Sequence, residues 1–186
     1  MTKWIAGAAV AAVLHITPTV VLVKRPEAVR TLLPGAETFF ADDIHLSDVD
    51  AHRLHEAVDW SPEDGVLTFY TGRQGAGVVG SLVFVRVDTP HGPLEIAVGF
   101  KPDGAVAGVI VTKATVETKP WVLEALRAGL TDAYRELKPG AAPGGAAAIQ
   151  DRVGTLPHYM AEQVDKGVAR ALAAWGTFYN HVRAAS

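Results

Sequence analysis

The sequence predicts an α+β domain, an antiparallel sheet covered by helices, preceded by one N-terminal transmembrane helix. Three observations predict it. β-Forming residues recur with short turns between them from Val66 to Lys113, two long amphipathic patterns follow these strands rather than alternating with them, and the chain opens on a long uncharged stretch.

With 186 residues, 49% hydrophobic and 20% charged, the chain is long enough for one well-packed domain and an appendage. The expected division is an anchor and juxtamembrane segment over 1–30 and a folded domain over 31–186. A net charge of −3, with Lys and Arg scattered rather than gathered on a stripe, offers no field for nucleic acid. The absence of cysteine excludes disulfides, thiolate metal sites, iron–sulfur clusters and c-type haem attachment.

The appendage is read first. From Trp4 to Val23 no residue is charged, and these 20 residues, as a helix rising 1.5 Å per residue, would span about 30 Å of hydrocarbon. A signal peptide is the rival reading, with Lys3 as its basic start and Trp4 to Leu14 as its apolar region, although no clean small-x-small cleavage site precedes Lys24-Arg25. Gly7, Ala8, Ala11 and Ala12 supply a small-residue face, so the expected partners are other membrane-protein subunits as well as the lipid bilayer. His15 lies inside the stretch, and an ionisable residue there points to function. Ala11-x-x-x-His15 resembles the pigment-ligating motif of bacterial antenna polypeptides, which makes His15 a candidate pigment or haem ligand; the competing reading is a neutral imidazole bonded to a neighbouring helix.

The remaining elements follow in order. Pro34-Gly35 makes a turn, and Ser47-x-x-Asp50 reads as a capping box for a helix to about Val58. Four strands come next, Val66 to Gly72, Val78 to Val87, Leu94 to Phe100 and Val106 to Lys113, joined as sequential hairpins. Val122, Leu126, Leu130 and Tyr134 stand four apart in a helix from Pro120 to Leu137. The Gly/Ala/Pro-rich run from Pro139 to Ala148 reads as a surface loop, and a last helix from Pro157 to Val182 presents Met160, Val164, Val168, Leu172, Trp175 and Tyr179 to the sheet.

The hairpins from Leu82 to Lys113, the Leu33-Pro34-Gly35-Ala36 phrase and the Val168 to Leu172 ending VARAL together resemble the FMN-binding domain family, relatives of the flavin-bearing subunits of Rnf-type and sodium-pumping NADH:quinone reductase complexes. The resemblance covers roughly Leu32 to Trp175. In that family an [ST]GAT-type signature before the last helix carries FMN on a threonine through a phosphoester. Here the signature is degenerate. An ungapped match sets Thr155, Leu156, Pro157 and His158 on its four positions, with His158 where the threonine belongs; a gapped match sets Gly144 to Ala147 there, ending on Ala147. Neither offers the acceptor hydroxyl, so covalent FMN is not expected. Non-covalent FMN remains open through the exposed backbone of Gly99, Gly104 and Gly108, with Thr155 and His158 nearby on the terminal helix.

The resemblance therefore implies an accessory, structural subunit of a respiratory or photosynthetic membrane electron-transfer complex, single-pass, with its FMN-binding-like domain on the extracytoplasmic, periplasmic side. Charge counting leans the other way, since Lys24, Arg25 and Arg30 outnumber Lys3 and the α-amine. The alternatives are a membrane-anchored carrier of non-covalent FMN and a haem- or pigment-binding subunit ligated by His15 or His158. His45, Asp48, His52 and His55 share a neighbourhood at helical spacing and would suit zinc or copper, but a solvated helix face is the commoner origin of such a set, and no metal site is assigned. With no G-x-S-x-G, P-loop or H-E-x-x-H, independent catalysis is not expected.

Overall fold

In a computed structural model that describes residues 17–185, the chain forms β1 (Thr19–Val21), α1 (Arg25–Leu32), β2 (Thr38–His45), α2 (Asp48–Val58), β3 (Val66–Gln74), β4 (Gly77–Val87), β5 (Leu94–Phe100), β6 (Val106–Thr115), α3 (Lys119–Arg127), α4 (Gly145–Ile149) and α5 (Thr155–Ala185). The strands make one antiparallel sheet in the order β1-β6-β5-β4-β3-β2. The four hairpin strands expected from sequence form its centre, and the Ser47 cap starts α2, its hydroxyl accepting from the Asp50 amide at 3.2 Å.

Strand β5 is buried along its whole length, which dictates the layering. Leu94, Ile96, Val98 and Phe100 face a core shared with Phe69, Val83, Val85 and the inner side of α5, from Met160 through Val164, Val168 and Leu172. Ala97 faces the other way, where Leu82 and α1 residues Ala28, Val29 and Leu32 make a second, smaller cluster. Helices thus lie on both faces, not on one as the sequence suggested. A strand flanked on both sides cannot leave either face to water without losing about 1.5–3 kcal/mol per large apolar side chain.

The predicted transmembrane helix does not stand. Thr19, Val20 and Val21, within the Trp4–Val23 stretch, are extended and pair with Thr115, Ala114 and Lys113, and the amides of Leu22 and Val23 both donate to the Thr112 carbonyl, at 2.8 and 3.2 Å. Among the described residues, no helix is long and apolar enough to cross a membrane. The physical reason is local: Pro18 and the β-branched Thr19, Val20, Val21 and Val23 favour extended backbone, and the edge of β6 offers them hydrogen bonds. An absence of charge reads the same in a strand as in a span. Trp4–Ile16, the 13 uncharged residues that remain, fall short of the roughly 20 a spanning helix needs and lie outside the described residues, as does His15. The single-pass membrane location and the extracytoplasmic placement rested on that helix and fall with it.

Three further differences have local causes. The helix expected from Pro120 to Leu137 stops at Arg127, because Gly129 turns left-handed (φ 86°) and a 3₁₀ turn, Leu130–Tyr134, replaces its second half. The expected loop of 139–148 contains the start of α4. Helix α5 begins at Thr155, so Pro157 sits in its first turn, where a missing N–H costs nothing.

At the β5–β6 turn, Gly104 has a φ of +85° and faces the Trp175 ring so closely that a Cβ would collide with it, whereas Gly140, at +89°, has open space around it. Gly104→Ala is therefore expected to lose about 2 kcal/mol or more, and Gly140→Ala about 1 kcal/mol from backbone strain alone. Denaturant midpoints of the two variants measure the difference; equal losses would remove Trp175 as the cause.

Candidate functional site

The residues that the resemblance assigns to flavin do not converge. Gly99 and Gly108 are cross-strand partners on β5 and β6, so the sheet brings those two together. Leu32 of α1 lies over them: a Cβ on Gly99 would meet the Leu32 Cβ at 2.8 Å, and one on Gly108 its Cδ2 at 3.0 Å. Gly104 is packed under Trp175, whose indole N–H donates to Ser81 Oγ at 2.9 Å. Thr155 and His158 occupy the first turn of α5, which places them about 30 and about 26 Å from Trp175 at 1.5 Å per residue. Thr155 is exposed. The His158 amide donates to the Gly154 carbonyl, its ring Nε2 stands 3.7 Å from Glu162, and its Nδ1 is buried without a partner.

The gapped position is filled from within. The amides of Gly145 and Ala146, at the start of α4, donate to Asp165 Oδ1 and Oδ2 at 2.9 and 3.1 Å. A carboxylate of the chain's own thus occupies both donors. Beside it the Tyr134 hydroxyl is buried, and burial, reinforced by the neighbouring Asp165 carboxylate, pushes its pKa far above the ordinary phenol value. It stays protonated and supplies no base.

Two histidines of α2 stand beside carboxylates. His52 faces Glu56 at 3.2 Å and His55 faces Asp59 at 3.8 Å, and among the described residues no group of three or more His, Asp or Glu is placed to hold a metal ion. His91, for which no motif gave a signal, has Nδ1 2.9 Å from Glu117 Oε1 and stands edge-on to Trp121 and Tyr159, at centroid distances of 5.2 and 5.9 Å. This pair ties the β4–β5 corner to the start of α3.

A groove of about 790 Å³ opens on the α1 face of the sheet, at Arg25, Tyr70, Phe84 and Glu95, and runs round to Trp60 and Arg170 on the α5 side. Its floor is a row of alternating charge across three strands, because Arg86 is registered against Glu95 and Glu95 against Lys113. Arg25, the first residue of α1, reaches down to Glu95 with both ends of its guanidinium, Nε to Oε1 at 3.1 Å and Nη2 to Oε2 at 2.6 Å. Lys113 donates to the same Oε2 at 2.9 Å and Thr112 Oγ1 to Oε1 at 2.9 Å. Burial works to raise the Glu95 pKa, but the donors from Arg25, Lys113 and Thr112 outweigh it and hold the carboxyl at about 2.

Aromatic and acidic residues complete the groove. The Arg25 guanidinium stacks 4.7 Å from the Phe84 ring centroid, and Tyr70 meets Phe84 edge-on at 5.4 Å. On the opposite wall Arg86 pairs with Glu63 at 3.1 Å and Asp88 at 2.9 Å. Arg170 lies over Trp60 and donates to the carbonyls of Arg86 and Asp59 at 2.9 and 3.2 Å, leaving its Nε unpartnered; burial lowers its pKa. The groove offers charge and flat apolar surface side by side.

Because the Glu95 pKa is depressed, the stability it contributes is present above the ordinary carboxyl value near 4.5 and is lost as pH falls toward about 2. Glu95→Gln should cost roughly 2 kcal/mol at neutral pH, less than a fully enclosed pair would lose because Arg25 stays half-exposed. The gap between variant and parent should close across that acid range in denaturant titrations, and a constant gap would mean the ion pairs carry none of it. In comparisons with known proteins the chain matches no family model and no curated protein.

Proposed function

We propose that this chain is a domain of FMN-binding-like architecture that carries no covalent flavin and serves as an accessory, structural member of an electron-transfer assembly, docking on its partner subunits through the folded domain. The observation that carries the reading is the Asp165 carboxylate on the Gly145 and Ala146 amides, an internal anion where a flavin phosphate would bind. The covering of Gly99 and Gly108 by Leu32, and of Gly104 by Trp175, supports it. The residues present do not fit attachment of FMN, and no step through a flavin is derived.

A structural role asks for rigidity, and the fold supplies it. The sheet is held between α1 and the α2–α5 layer, so a partner docking on either edge meets a surface whose strands cannot shift register without exposing the β5 side chains.

Purified full-length chain from its native cells is expected to have the intact mass of the polypeptide and no visible flavin band before or after denaturation. Its deletion should lower the yield of the electron-transfer assembly while leaving turnover per assembled complex unchanged. Stoichiometric FMN, whether it stays on the denatured chain or leaves it, overturns the reading, and so does a Soret-type band abolished by His158→Ala.

A further inference from the structure

The groove on the α1 face carries an inference that stands apart from the flavin question. Arg25 is preorganised: one edge is engaged by Glu95 and one face by Phe84, while among the described residues its Nη1 has no hydrogen-bond partner. Lys113 converges on the same carboxylate oxygen as Arg25, and its side chain remains 35% exposed. Two cations thus share one carboxylate, and the floor has one positive charge in excess with spare donors directed at the groove.

The rim has the opposite balance. Asp59, Glu63, Asp64 and Asp88 line the far wall with Arg170, and Arg86 reaches from the floor row to pair with Glu63 and Asp88, which leaves these six groups together negative by two. A single negative charge is drawn to the Arg25–Lys113 end, whereas the second charge of a dianion would add repulsion from the rim. Tyr70, Phe84 and Trp60 supply flat apolar surface for such a body.

We propose that this groove binds a small aromatic monocarboxylate, its carboxylate held by Arg25 and Lys113 and its ring against Tyr70 and the outer face of the Arg25 guanidinium. Recognition is of the acid group by paired donors and of the ring by stacking, so neither half of the ligand suffices alone.

Titration of the full chain with 2-naphthoate, followed by heteronuclear NMR, is expected to saturate, with acetate and inorganic phosphate each about tenfold weaker or more. Lys113→Met, which leaves the Arg25–Glu95 pair in place, should weaken 2-naphthoate about tenfold, the worth of one charge-assisted hydrogen bond. Tyr70→Leu provides a second variant should Lys113→Met fail to fold, as judged by far-UV circular dichroism, and should weaken 2-naphthoate but not acetate. Glu63→Gln with Asp64→Asn should raise phosphate affinity several-fold by removing rim charge. The proposal is overturned if 2-naphthoate does not saturate, if phosphate binds as tightly, or if a folded Lys113→Met or Tyr70→Leu chain binds it as the parent does. Flavin content of the purified chain bears on none of these outcomes.

Discussion

A carboxylate on the innermost strand must be neutralised where it stands, and Glu95 imposes that requirement on much of this molecule. An unpaired charge in such a position costs several kcal/mol, more than any single apolar contact around it returns. Thr112 and Lys113 answer part of the demand from the neighbouring strand, but the bidentate partner is Arg25, the first residue of α1. Holding Arg25 over Glu95 lays α1 across the second face of the sheet, where Leu32 settles over the Gly99–Gly108 pair. The chain just before Arg25 is thereby delivered to the free edge of β6, where Thr19–Val21 pairs. The strand that replaces the expected membrane helix and the ion pair are two ends of one constraint.

The groove follows from the same placement. Helix α1 covers the part of the face formed by β5 and β6 and leaves Tyr70 on β3 and Phe84 on β4 beside it. The covered part is small and apolar, built from Ala97, Gly99 and Gly108, which suits the close approach of a helix. The uncovered part carries the large aromatic side chains and the charged row. Packing and recognition are divided across one face by where a single short helix ends.

What could be read beforehand follows the range of the interactions concerned. The β3–β6 hairpins repeat a two-residue alternation between short turns, and the α2 start is written in Ser47 and Asp50, so both were legible. Strand β2 was not, because Asp42 and Asp43 sit in its middle and its side chains are mostly exposed, so it shows no alternation. Helix α4 is five residues whose amides are satisfied by Asp165, about 20 positions away, a cap no local pattern contains. The candidate flavin residues were chosen for backbone exposure, a property glycine has only until a distant side chain covers it, as Leu32 and Trp175 do. Glu95 carries no local signal of its role, because its partner is 70 positions earlier in the chain.

The Asp165 contact also supplies, from within the chain, the acceptor that two helix-start amides require. Two adjacent amides at a helix start, next to a buried tyrosine hydroxyl, form a site that is stable only with an acceptor in place, since each unpaired donor costs about 1–3 kcal/mol. Where a phosphate supplies the acceptor, the chain depends on its ligand for that stability. Where a carboxylate one helix away supplies it, the dependence ends and the fold stands without the ligand, but the place is no longer vacant. In the reading proposed here, a Thr in place of Ala147 would not permit attachment while Asp165 remained, because a phosphate there would face a fixed negative charge. In that reading, the missing acceptor hydroxyl and the internal anion reinforce each other, and reversing them requires both residues together.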